Sequence, residues 1–177
     1  IKILLSSKIN EERVLALVIL VNQFKAHSKK SPGKQAEIYQ FYLDNIQYIN
    51  NWNLVDISAH FIIGEYIFDK DRSILLKLAQ SKSMWERRIA IVSTWNFIRR
   101  SQPGKNDLDD TYKISEMLLY DKHALIHKAV GWMLREAGKR NLPSLLKFLD
   151  IHHKSMPRTM LRYAIAKLDK NQKTCYM

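Results

Sequence analysis

Cysteine, glycine and proline are all scarce in this sequence of 177 residues. The single cysteine, Cys175, can form no disulfide within the chain, which favours a reducing cytoplasm as its location. There are only five glycines and four prolines, and no alternating hydrophobic run is bounded by Asn-Gly or Asp-Gly, so the signals of β-hairpins are missing. The longest apolar run, Val14–Val21, is too short to span a bilayer, and we expect no association with a membrane.

Motifs for nucleotide and ester chemistry are absent as well. The sequence contains no P-loop, no GxGxxG and no GxSxG, so nucleotide-dependent and esterase functions have no support. No signal peptide is visible, and because the chain begins without Met we expect that a piece is missing upstream.

Acidic residues are outnumbered by basic ones. The chain has 17 Asp and Glu against 29 Lys and Arg, which gives a net charge of +12. Such an excess favours a polyanionic partner, that is DNA, RNA or an anionic membrane. No basic amphipathic tail marks a membrane anchor, so nucleic acid is the favoured partner. A soluble basic protein without such a partner stays open as the alternative.

Helical periodicity is what the sequence has in abundance. We predict an all-α fold in a single domain over residues 1–177, with Pro32 in a first turn, a capping box from Ser83 to Glu86 and a loop over Ser101–Asp107. The predicted helices are Glu11–His27, Pro32–Ile49, Asn53–Phe68, Arg72–Gln80, Met84–Arg100, Asp107–Tyr120, His123–Lys139, Leu142–His152 and Pro157–Lys167.

The predicted helices come in pairs whose second members look alike. The segments ERVLALVILVNQF, NLVDISAHFIIGEYIF, ERRIAIVSTWNFIRR and IHKAVGWMLREAGKR recur at intervals of about 35 to 40 residues. That interval is typical of two-helix repeats of the HEAT kind. Because one pair cannot bury its apolar face alone, we expect the pairs to stack into an α-solenoid with a concave basic groove.

The segment NNWNLVD places Trp52 and Asp56 on one face of a helix, since they are four residues apart. One interpretation is structural: Asn53 and Asp56 fit a variant of the capping box, and tryptophan is usually a core residue. The other interpretation is that the pair forms half of an active site. The spacing alone leaves both open.

Two further segments combine basic and aromatic residues. Arg87 and Arg88 point in directions about 100° apart, so one can face a groove while the other is solvated. Lys128 and Trp132 form a basic-aromatic stripe, and Gly131 costs that helix about 1 kcal/mol relative to alanine, which suggests close packing or a close ligand there. A solvated basic edge and a core aromatic are the structural alternatives.

Together these segments resemble the DNA alkylation repair family, the AlkD-like DNA glycosylases. The resemblance is carried by NNWNLVDISAHFIIG, SMWERRIAIVSTWNFIR, LIHKAVGWMLREAGKR and MPRTMLRYAIAKL, and it runs in the family's order from about Glu11 to the C-terminus. It implies an all-α solenoid of HEAT-like repeats. It also implies a monomer that excises cationic alkylated purines, chiefly 3-methyladenine and 7-methylguanine, from double-stranded DNA without a metal or cofactor.

The resemblance assigns roles to particular residues. Two tryptophans, an aspartate and an arginine line the lesion site in this family, and by motif position they correspond to Trp52, Asp56, Arg88 and Trp132. Arg88 is expected to hold the phosphate beside the lesion. The residues expected to contact DNA around the site are Arg87, Lys128, Arg135, Lys139, Arg158 and Arg162.

The sequence departs from the family in one respect. The family's N-terminal helices, on the order of 50 residues, have no counterpart here, so we expect either a piece of a longer chain or a natural short form. In the family they help to clasp DNA and add an aromatic residue to the site. The alternative to a glycosylase is therefore a HEAT-repeat DNA-binding or scaffold protein that has kept the basic groove and lost activity.

Overall fold

The computed structural model describes residues 1–27, 31–102 and 107–177, and every regular element in them is helical. The all-α prediction is confirmed for that part of the chain. The helices are α1 (Lys2–Leu5), α2 (Asn10–Ala26), α3 (Pro32–Asp44), α4 (Trp52–Asp56), α5 (Ser73–Ala79), α6 (Met84–Ser93), α7 (Trp95–Arg100), α8 (Asp109–Met117), α9 (Ala124–Arg140), α10 (Leu142–His152), α11 (Arg158–Ala164) and α12 (Lys170–Tyr176), with a 3-10 helix at Ile46–Tyr48 and a π-helix at His60–Gly64.

Most predicted helix bounds lie close to the observed ones. Helix α10 matches at both ends, and α3 begins at Pro32 as expected. Most of the predicted loop Ser101–Asp107 falls on residues 103–106, which are outside the described residues. The short helices α1 and α12 were not predicted, although α12 carries a capping box formed by Asp169 and Gln172.

Three predicted helices are interrupted, and side-chain hydroxyls accompany two of the breaks. The segment predicted as Asn53–Phe68 divides after α4, where Ser58 Oγ donates to the carbonyl of Leu54 at 2.6 Å. The segment predicted as Met84–Arg100 divides between α6 and α7, where Thr94 Oγ1 donates to the carbonyl of Ile91 at 2.7 Å. Such hydroxyls compete with the helical N–H for the carbonyl, so continuous helices were wrong here. The segment predicted as Pro32–Ile49 ends as α3 and continues as the 3-10 helix.

Two predicted capping boxes are not formed. Ser83 does precede α6, but its side chain makes no capping hydrogen bond. At α4 the residue before the helix is Asn51, which also makes none, and Asn53 Oδ1 accepts only from the N–H of Leu54 next to it. The structural interpretation of Asp56 as a helix cap is therefore wrong.

The second helices of successive pairs pack on one another in chain order. Helix α2 contacts α4, α4 contacts α6, α6 contacts α9, and α9 contacts α11. On the other side of this row α5 packs on α6, and α8 and α10 pack on α9. The buried apolar residues lie between these layers. The result is an all-α helical repeat in which one helix of each pair belongs to a continuous inner layer.

Gly131 lies where α9 and α11 come closest. A Cβ atom there would be 2.5 Å from both the carbonyl oxygen of Met160 and the Cβ of Tyr163. No side chain can occupy that space unless the backbone of α11 moves away. Close packing therefore explains this glycine, and it fixes Tyr163 next to Trp132.

In the part of the chain that the structure describes, no helix has both the length and the apolar character needed to cross a membrane.

Candidate functional site

A cavity of about 360 Å³ opens between α4, α6, α9 and α11, and the four residues expected at the lesion site all line it. We call it the tryptophan cavity. The residues that line it are Trp52, Asp56, Arg88, Leu125, Lys128, Trp132, Arg135 and Tyr163. Repeats that are far apart in sequence thus bring their second helices to one common surface.

Asp56 and Arg88 form a two-pronged ion pair in this cavity. Arg88 Nε donates to Asp56 Oδ1 at 3.0 Å, and Arg88 Nη2 donates to Asp56 Oδ2 at 2.8 Å. Arg88 Nη1 donates to the carbonyl of Leu125 at 2.6 Å. The arginine side chain is 5% exposed and the aspartate side chain 21%. A fork of this kind fixes both the position and the orientation of the carboxylate, which keeps one side open to the cavity.

The phosphate contact expected for Arg88 stays a prediction. What the geometry shows is a buried guanidinium whose three nitrogens are all hydrogen-bonded within the protein. Through this group α4 is tied to α6, and α6 to the start of α9.

The two tryptophans of the cavity differ in how they are packed by the protein around them. Trp52 is 54% exposed at the start of α4. Trp132 lies in the middle of α9 and packs against Trp95, with ring centroids 6.1 Å apart. Both rings line the same cavity as Asp56, so a cation bound there would meet a carboxylate and aromatic faces together.

Arg87 does not line the cavity, which agrees with its offset of about 100° from Arg88 around the helix. Its Nε donates to Asp121 at 2.6 Å, and its Nη1 donates to the carbonyls of Ser81 and Lys82 at 2.9 Å. Burial acts to raise the pKa of Asp121, but hydrogen bonds from Arg87 and from the N–H of His123 lower that pKa overall. The assignment of Arg87 to DNA binding stays a prediction.

The other expected DNA contacts fall into three groups. Lys128 and Arg135 line the tryptophan cavity, and Arg162 lines a neighbouring one. Lys139 is held by the buried carboxylate of Glu136 at 2.6 Å, and that carboxylate also accepts from Arg135 Nε at 3.1 Å. Arg158 lies toward the C-terminus, where its Nη1 donates to the carbonyl of Met177 at 3.4 Å. The positions of these residues alone do not test whether they bind DNA, so DNA binding stays a prediction.

Two lining residues were missed from the sequence. Leu125 contributes its backbone carbonyl to Arg88, which no side-chain pattern could indicate. Tyr163 is 37% exposed on α11 and lines the cavity. An aromatic residue on the polar face of a predicted helix was the available signal.

Within residues 1–27, 31–102 and 107–177, no group of three or more His, Cys, Asp or Glu side chains is arranged to hold a metal ion.

The fold and the cavity together define a class: an all-α repeat protein whose inner layer carries an ion-paired carboxylate, two tryptophans and further cations. Residues 1–168 match the model of the family described as DNA alkylation repair enzyme, and the chain belongs to that family. The resemblance drawn from the motifs is thereby confirmed, and α12 begins beyond the matched region. None of the curated proteins matches the chain.

Proposed function

We propose that this protein is a DNA N-glycosylase that excises cationic alkylated purines, chiefly 3-methyladenine and 7-methylguanine, from duplex DNA at the start of base excision repair. The observation that carries the proposal is the Asp56 carboxylate, held in a fixed orientation by Arg88 in a cavity that two tryptophans also line. Membership of the DNA alkylation repair enzyme family supports a role in the repair of alkylated DNA.

The chemistry needs little more than a fixed negative charge. Alkylation at N3 or N7 makes the purine cationic and turns it into a good leaving group. Cleavage of the C1′–N bond then builds positive charge on the sugar, and a preorganised carboxylate stabilises that charge and can position a water molecule. The faces of Trp52 and Trp132 add cation–π attraction to the same positive charge. No metal or cofactor takes part in this scheme.

Arg88 acts in this mechanism by holding Asp56. Its three nitrogens are already hydrogen-bonded, so the contact of Arg88 with the phosphate beside the lesion, which stays a prediction, needs support from the other cations of the cavity. Lys128 and Arg135 line the cavity and meet that need. Glu136 orients Arg135, because its buried carboxylate accepts a hydrogen bond from Arg135 Nε.

The cavity suits a damaged nucleotide that is not drawn into a deep pocket. Trp52, on one wall, is half exposed. Discrimination then comes from the lability of the cationic base more than from hydrogen bonds to its edges. A monomer acting on duplex DNA in the cytoplasm, associated with the bacterial nucleoid while bound, fits this scheme.

The direct test is Asp56→Asn, assayed by release of 7-methylguanine from methylated duplex DNA. Asparagine keeps the size of the side chain and one acceptor for Arg88, while the charge is lost. Because the buried guanidinium then lacks its counter-charge, part of the stability is lost as well, and excision is compared under conditions where denaturant unfolding shows the variant to be folded. We expect excision to fall roughly a hundredfold, which corresponds to about 3 kcal/mol of transition-state stabilisation. Affinity for undamaged DNA should be unchanged or slightly higher.

Asp110→Asn is the matched control. Asp110 pairs with Arg72 at 2.8 Å, outside the tryptophan cavity, so this variant loses the same charge from a similar ion pair. It should excise at the parent rate. If Asp56→Asn also excises at the parent rate, the carboxylate has no catalytic role. If the parent binds DNA but releases no base, the chain is a non-catalytic DNA-binding protein.

A further inference from the structure

Tyr163 is a third aromatic residue at the tryptophan cavity, and the glycosylase mechanism gives it no role. It belongs to α11, the last in the row of helices around the cavity, whereas Asp56 and Trp52 belong to α4, the first. The same tyrosine also lines a neighbouring cavity of about 330 Å³, so it stands at the boundary between the two. A nucleotide in the tryptophan cavity therefore meets an aromatic residue on the α11 side.

The core of the protein does not use this side chain. Tyr163 is 37% exposed, and within residues 1–27, 31–102 and 107–177 its hydroxyl makes no hydrogen bond and its ring stacks on no other ring. Other tyrosines are held by the protein. The hydroxyl of Tyr42 is 2.9 Å from Ser58 Oγ, and that of Tyr176 donates to Asp150 at 2.7 Å. The contrast indicates that the ring of Tyr163 is available to a ligand.

Backbone packing fixes where this tyrosine begins. A Cβ atom on Gly131 would be 2.5 Å from the Cβ of Tyr163, so α9 and α11 are in contact at this point. Trp132 is the next residue of α9, and its ring packs against Trp95, with centroids 6.1 Å apart. The aromatic side chains of α9 and α11 thus start close together, and both line the cavity. A site preorganised in this way loses little conformational entropy when it binds.

We propose that Tyr163 is a specificity-determining residue whose aromatic face binds the positively charged purine of the damaged nucleotide. The inference rests on the proposed glycosylase function, because it takes the tryptophan cavity to be the place of the lesion. Asp56 on α4 is assigned to the sugar, so the ring on α11 is left for the base. An aromatic face stacks on any purine but attracts a cationic one more strongly, and it does so without hydrogen bonds to the base edges.

The test compares the binding of two duplexes that differ in one methyl group and the positive charge it brings. One carries 7-methylguanine and the other guanine, each on a 2′-fluorinated sugar, which opposes positive charge at C1′ and so prevents cleavage. We expect the parent to prefer the cationic duplex, and Tyr163→Leu to reduce that preference about fivefold through the loss of one cation–π contact. Tyr163→Phe keeps the ring and should keep the preference. Because the preference is a ratio of two dissociation constants for one protein, partial unfolding of a variant does not change it.

Tyr120→Leu is the matched control, since Tyr120 is an exposed tyrosine that lines neither cavity, and it should leave the preference unchanged. The inference is overturned if Tyr163→Leu retains the preference of the parent, if Tyr163→Phe loses as much of it as Tyr163→Leu, or if the parent binds both duplexes equally.

The binding measurement and the release of 7-methylguanine from methylated DNA fail separately. A chain whose preference depends on Tyr163 but that releases no base supports the cation contact and contradicts the glycosylase proposal. A chain that releases the base while Tyr163→Leu retains the full preference contradicts this inference alone.

Discussion

The two walls of the tryptophan cavity are built in different ways. On one wall Trp52 and Asp56 belong to α4, a helix of five residues that is followed by a turn and a π-helix. On the other wall Trp132 belongs to α9, an unbroken helix of 17 residues that packs on α11 and on Trp95. The α9 wall is held by packing, whereas the α4 wall has the Arg88 fork as its polar tie across the cavity. The carboxylate that matters most in the proposed mechanism therefore lies on the less regular wall.

Breaking the Arg88 fork should have the largest effect on stability and excision, because the fork holds the α4 wall. In Arg88→Gln the Asp56 carboxylate loses its partner and the Leu125 carbonyl loses a donor. We expect the free energy of unfolding to fall by about 3 kcal/mol, at the low end for a buried pair because Asp56 is partly exposed. Excision should drop at least about tenfold, because the carboxylate is no longer held in place.

Arg72→Gln is the control for that prediction. It breaks the pair with Asp110 and two hydrogen bonds to the carbonyl of Phe68, so it should lower the free energy of unfolding by about 2 to 3 kcal/mol, but without changing excision because Arg72 does not line the tryptophan cavity. Denaturant unfolding and base release measured on both variants decide the matter. Equal losses of excision would mean that the Arg88 fork has no special role at the site.

Acid should destabilise the fold through His60, which follows α4 in the chain. His60, in the π-helix, is buried, and burial together with the nearby charges of Arg99 and Lys25 lowers its pKa from 6.5 to about 4. Because the unfolded chain binds the proton more tightly, the stability due to neutral His60 is complete above pH 6.5 and is lost as the pH falls toward 4. The shift corresponds to about 3 kcal/mol.

The check is to compare His60→Gln with the parent by denaturant unfolding at several pH values. The parent should lose stability between pH 6.5 and 4. The variant has no titrating group at position 60, so its stability should change much less over that range. Parallel curves for the two proteins would show that His60 keeps an ordinary pKa in the fold.

The α9 wall is best tested at its two glycines. Gly131→Ala places a Cβ against the backbone of α11, and we expect a loss of about 2 kcal/mol in the free energy of unfolding. Gly138→Ala meets the side chain of Leu145, whose flexible end can rotate away, and a gain in helix propensity of about 1 kcal/mol offsets the remaining cost. Thermal unfolding of both variants tests the difference, and an equal loss would contradict the close approach at Gly131.

The smallest change in stability is expected for Trp52→Ala. This ring is 54% exposed, so its removal should alter the free energy of unfolding by only about 0.5 kcal/mol. Excision of 7-methylguanine should still fall about fivefold, since one cation–π contact worth about 1 kcal/mol is lost. A large loss of stability would mean that Trp52 is a core residue, which is the structural interpretation of its sequence pattern.

Sequence patterns predicted the helical layers well, because burying one face of a helix demands a regular apolar spacing. They did not predict the interruptions at Ser58 and Thr94, since those depend on which carbonyl each hydroxyl reaches. At the site, the helix spacing placed Trp52 and Asp56 on one face, and the family resemblance added Arg88 and Trp132. The partner of Asp56 and the presence of Tyr163 follow from contacts between helices, which no spacing within one helix encodes.

The interruptions of the inner layer should also affect how fast its parts exchange hydrogen with water. In α9 an unbroken ladder of backbone hydrogen bonds opens only when much of the domain opens with it, so its central amides should retain their protons longest. In α4 the ladder is five residues long, and a local opening that leaves α9 intact is enough to expose its amides. The protein should therefore open at the Asp56 side many times for each time that it unfolds as a whole.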